Sequence, residues 1–102
     1  MGLILATVNK QQIIAAKSEN DEKQSAILNS KRHLSETVTD LMNAGTDMDP
    51  DNPALKQLEE RKQRLHKLEE QLDLQLEHCK TEAELLEKQE QFYDKMEESA
   101  LK

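Results

Sequence analysis

Three histidines, His33, His66 and His78, and one cysteine, Cys79, are the side chains best able to ligate a metal or move a proton. His66 with Glu70, and His78 with Glu82, have the i,i+4 spacing that puts two ligands on one helix face. Neither pair lies in an H-E-x-x-H sequence, and the paired Glu-x-x-His motifs of di-iron bundles are missing. His78 and Cys79 do not form a base and nucleophile, because adjacent helical residues point to different faces. Cys79 falls in an apolar line and reads as a small core residue. The sequence contains no Gly-rich phosphate loop and no nucleophile elbow. The expectation is a protein that is not an enzyme and has no cofactor, no metal and no small-molecule substrate.

Composition turns attention from chemistry to scaffold. In 102 residues the hydrophobic fraction is 35% and the aromatic fraction 2%, little for a compact core, while 34% of residues are charged. The mixture of Glu, Lys, Gln, Leu and Ala with two Pro and two Gly is that of long helices and coiled coils. A net charge of −7 argues against nucleic acid as the main partner, since neutralising phosphates needs a basic surface. A single cysteine allows no internal disulfide. No apolar stretch approaches the roughly 20 residues of a membrane span. The start MGLILATVNK lacks a basic n-region, and Ala6 stands where a myristoylation motif needs Ser or Thr. The expected location is cytoplasmic, or outside by export without a cleaved signal peptide.

Steps of seven organise both halves. Leu58, Leu65, Leu72, Cys79, Leu86, Tyr93 and Ala100 form one line. Its companions divide between one flank (Leu55, Leu76, Ala83) and the other (Leu68, Met96). The first half repeats the period at Ala6, Ile13, Asn20, Ile27, Leu34, Leu41 and Met48. Asn20 is its polar member and reads either as a solvated break in the seam or as a buried, register-setting contact.

Between the halves, both prolines and one glycine fall within nine residues, Gly45 to Pro53. Gly45 can take the left-handed conformation that closes a helix. Pro50 and Pro53 cannot continue one, and Asn52 is a good N-cap with Pro53 at N1. The predicted architecture is all-α and a single helical hairpin. Its helices span about 4–44 and 53–100 around a turn at about 45–52, and the short link makes them antiparallel.

A lone hairpin leaves apolar side chains uncovered. Antiparallel pairing brings Leu3, Ile4 and Leu5 towards Phe92, Tyr93 and Met96, and such an apolar end marks an interaction site. Charge is also uneven. Residues 56–67 hold five bases and two acids, and residues 69–98 hold eleven acids and three lysines. This is either a solvated face, or a basic segment that lies beside the acidic stretch of a neighbouring subunit.

The segment DPDNPALKQLEERKQRLHKLEEQL resembles the turn and second-helix start of bacterial type III secretion needle subunits. The likeness rests on Pro50, Asp51, Asn52, Pro53, Ala54 and Leu55, which match the family's P-x-x-P turn and its apolar helix start. The resemblance implies a signal-less secreted protein that stacks helical hairpins into a hollow extracellular filament. From the residues themselves the expectation is a structural homo-oligomer built on that hairpin. The alternative is a coiled-coil chaperone or adaptor that binds an amphipathic helix of a partner protein.

Overall fold

A computed structural model describes residues 2–101. The chain forms two long helices, α1 (Gly2–Thr46) and α2 (Pro53–Leu101), and no strand among the described residues. The fold is all-α, two antiparallel helices joined by a Pro-containing turn. The helices exceed the expected spans by two residues at each end of α1 and by one at the end of α2.

The turn departs from expectation at Gly45. No glycine among the described residues has positive φ, and α1 continues through Gly45 to Thr46. The left-handed closure is unnecessary because other groups satisfy the helix end. The Met48 N–H donates to the Gly45 carbonyl at 3.2 Å, and the Thr46 hydroxyl donates to the Asn43 carbonyl at 2.7 Å. A tight turn then runs from Asp49 to Asn52. The Asn52 N–H donates to the Asp49 carbonyl at 2.9 Å, with Pro50 at the second position where its fixed φ fits. The Asp49 carboxylate accepts from the Asp51 N–H at 3.2 Å, an Asx turn inside the backbone turn. Asn52 caps α2: its Oδ1 accepts the Ala54 N–H at 3.0 Å, and Pro53 occupies N1. The helical backbone at Gly45 has room for a side chain, since a Cβ there would meet Leu55 Cδ1 at 3.5 Å, an ordinary contact distance.

Contacts divide the chain into two units. Of the described residues, one comprises 2–25 and 77–101, and the other 26–76. Each is an antiparallel helix pair. In the first, Ala6, Ile13, Asn20 and Leu86 are buried. In the second, which includes the turn, Ile27, Val38 and Leu76 are buried, and Leu34, Leu41, Leu58, Leu65 and Leu72 are half-buried.

The buried and half-buried positions follow alternating steps of three and four, the spacing of a two-stranded coiled-coil seam. One column of each helix is the heptad line read from the sequence. The companion column of α2 takes the Leu55, Leu76 and Ala83 flank, and Leu68 on the other flank is exposed. That companion column also carries Lys62, Glu69, Glu90 and Glu97. Its counterpart on α1 is Lys10, Lys17, Gln24, Lys31, Val38 and Gly45. One column of the seam is therefore largely apolar and its companion largely polar.

Candidate interaction surfaces

The polar columns meet across the helices as ion pairs, most densely in the unit that holds both chain ends. Lys17 Nζ lies 2.7 Å from Glu87 and 2.6 Å from Glu90. Lys10 pairs with Asp94 and, at 3.5 Å, with Glu97, which also accepts the Thr7 hydroxyl at 3.2 Å. The hydrogen bond to Glu87, then that to Glu90, pushes the Lys17 ammonium above its usual range, and the bond to Asp94 does the same for Lys10. Reciprocally, the Lys17 hydrogen bond and charge hold the Glu87 carboxyl below its ordinary value. Desolvation opposes each shift and is outweighed. In the turn unit Lys31 pairs with Asp73.

Asn20 is the second feature of the unit that holds the chain ends. It is only 2% exposed. Its Nδ2 donates to the Cys79 carbonyl at 2.9 Å and reaches Glu82 at 3.5 Å, while its Oδ1 accepts the Gln24 amide at 2.6 Å. Small residues opposite, Cys79 and Ala83 in the α2 seam, leave room for this layer. The reading as a solvated break is thus replaced by the buried one. A buried amide with every polar atom satisfied is tolerated in one alignment and costly in a shifted one. Among the described residues no buried side-chain polar atom lacks a partner.

The third feature is the apolar end of the same unit. Ile4 is 70% exposed, Phe92 is 59% exposed, and Leu3, Leu5, Val8 and Leu101 are also open to solvent. Phe92 stacks edge-on against Tyr93 with ring centroids 5.3 Å apart. Tyr93 and Met96 are half-buried, Tyr93 because it stands in the heptad line of α2. A groove of about 410 Å³ runs beside this end, lined by Asn9, Ile13, Ala16, Leu86, Phe92 and Tyr93 among others.

Of the residues singled out from sequence, Pro50, Asn52 and Pro53 meet at the turn, with Gly45 just before it. Ile13 and Leu86 lie in the seam of one unit; Ile27, Leu34, Leu41, Leu58, Leu65 and Leu72 lie in that of the other. The lysine column was missed, although Lys10, Lys17 and Lys31 stand at multiples of seven beside the apolar line. Their signal was that same period, carried by residues that hydropathy patterning discards. Among the described residues no group of three His, Cys, Asp or Glu is placed to hold a metal ion. His66 instead faces Glu69 at 3.5 Å. No described helix is long and apolar enough to cross a membrane. No protein-family model, curated protein or solved structure matches this chain.

Proposed function

We propose that the chain is a structural, self-assembling helical hairpin, a subunit of a homo-oligomer that associates through its apolar end. The observation that carries this reading is the exposure of Leu3, Ile4, Leu5, Val8 and Phe92, large apolar side chains of one helix-pair unit. Thin cores add to it. Among the described residues only six apolar side chains are buried, and no large side chain is fully covered. Ordering each backbone residue costs about 1–2 kcal/mol, so a helix pair with so little cover gains much from a neighbour. The likeness of Pro50–Leu55 to secretion-needle turns extends the proposal to an extracellular filament.

Negative-stain electron microscopy with light scattering over a concentration series tests the reading. Purified protein alone is expected to grow in mass with concentration, and Ile4→Ser with Phe92→Ser to remain small while keeping its helicity. The groove beside Ile13, Leu86 and Phe92 supports a second reading, an adaptor for a partner's amphipathic helix. That reading expects a small species of constant mass at every concentration.

A further inference from the structure

We propose that the chain cuts its own backbone between Asp49 and Pro50 in mild acid, with the Asp49 carboxylate as the nucleophile. The reading concerns the turn alone and stands whether or not copies of the chain assemble.

Both X-Pro bonds of the protein lie in the turn, Asp49–Pro50 and Asn52–Pro53, and only the first has a carboxylate on the residue before proline. Asp49 and Pro50 are exposed, so acid and water reach this bond. The Asp51 N–H donates to Asp49 Oδ1 at 3.2 Å. That hydrogen bond closes a ring containing the 49–50 peptide group, which keeps the carboxylate beside the bond it attacks. Among the described residues no cation pairs with Asp49, and its second carboxylate oxygen is left to act. Its charged neighbours along the chain are Asp47 and Asp51 in the turn and Lys56 in the first turn of α2; the last turn of α1, 43–46, carries none.

The group under attack is prepared as well. The Asp49 carbonyl accepts the Asn52 N–H at 2.9 Å, a donor placed where negative charge gathers as the carbon is attacked. Pro50 supplies the leaving group, a tertiary amide nitrogen with no N–H of its own. At Asn52–Pro53 the side chain is a neutral amide, and its Oδ1 is occupied by the Ala54 N–H at 3.0 Å.

The carboxylate oxygen bonds to the Asp49 carbonyl carbon, and the C–N bond to Pro50 breaks as the proline nitrogen takes a proton from solvent acid. The products are a cyclic anhydride at Asp49 and a secondary amine at Pro50. Water then opens the anhydride and leaves Asp49 with two carboxyl groups. The net reaction is hydrolysis of one peptide bond. Each helix keeps its own closure after the cut, since the Asn52 cap and the Thr46 bond to Asn43 lie on either side of it.

Mass spectrometry of the whole protein, held at about pH 4 where an aspartyl carboxyl is half ionised, tests the cut. Fragments 1–49 and 50–102 are expected, with masses that sum to the intact chain plus one water. The rate is expected to be about tenfold higher in the folded chain than in concentrated urea at the same pH, because urea releases the carboxylate from the turn. Asp49→Asn and Pro50→Ala are each expected to lower the rate about tenfold, and Asp51→Asn, which keeps the backbone donor, to leave it unchanged. Absence of the cut, a rate in urea equal to or above the folded one, or undiminished cleavage in Asp49→Asn overturns the proposal.

Discussion

The two units of this chain are held by different physics. The turn unit is closed by a backbone device, Asp49 to Ala54, and filled along its seam by Ile27, Val38, Leu72 and Leu76. The unit with the chain ends has no covalent closure. It replaces much of the aliphatic seam with Lys10, Lys17, Asn20 and their partners. Apolar contacts are non-directional and tolerate sliding, whereas hydrogen-bonded amides and paired charges fit one alignment. Near a turn the connection fixes the alignment already. Far from it, where the chain no longer constrains the pairing, the polar contacts specify it.

The largest break in this comparison is a core truncation. Leu86→Ala removes the one buried leucine of the unit that carries the polar layer and is expected to cost roughly 2–3 kcal/mol, the lower part of the leucine range for a thin core. Urea unfolding followed by helicity measures it.

Next comes pH, which separates the two units. Glu87 titrates below its ordinary value of 4.5, so its contribution is fully present above that value and lost as pH falls through the lowered one. Lys10 and Lys17 titrate above 10.5, so theirs is present below that value and lost as pH rises through the raised ones. Spin-label distances across the helices in each unit are expected to be constant between these limits. In acid they broaden first in the unit holding the chain ends, and simultaneous broadening in both units would refute the contrast.

Asn20→Ala is a smaller change. It removes the bond to the Cys79 carbonyl, about 1 kcal/mol, and is expected to widen the distribution of distances in that unit more than it lowers the midpoint. Gly45→Ala is the smallest and has the opposite sign. Gly45 is helical and a Cβ meets Leu55 at ordinary contact distance, so alanine is expected to stabilise by about 0.5–1 kcal/mol. A left-handed Gly45 would make the same substitution destabilising.

Much of this was legible in the sequence, and for physical reasons. Breakers cluster where a helix must end, and the N-cap Asn52 with Pro53 at N1 is a local device that needs no tertiary contact. The heptad lines at Ile13 and Leu58 follow from burial alone. Gly45 differs from expectation because the Asx–Pro turn from Asp49 to Asn52 already reverses the chain, which leaves its left-handed freedom unused. Asn20 stayed open because its burial depends on what stands opposite, the small Cys79 and Ala83, which are about sixty residues away in sequence. The lysine column depended in the same way on carboxylates brought near by antiparallel pairing. Local signals were readable, and pairwise polar ones required the fold.

Hydrogen exchange across a dilution series tests the central claim, that the apolar end of the hairpin is covered by another copy. Amides of residues 3–8 and 92–101 are expected to gain protection as concentration rises, while those of the turn, 47–52, exchange at a constant rate. Exchange at residues 3–8 and 92–101 that does not change with concentration would contradict self-assembly through that end.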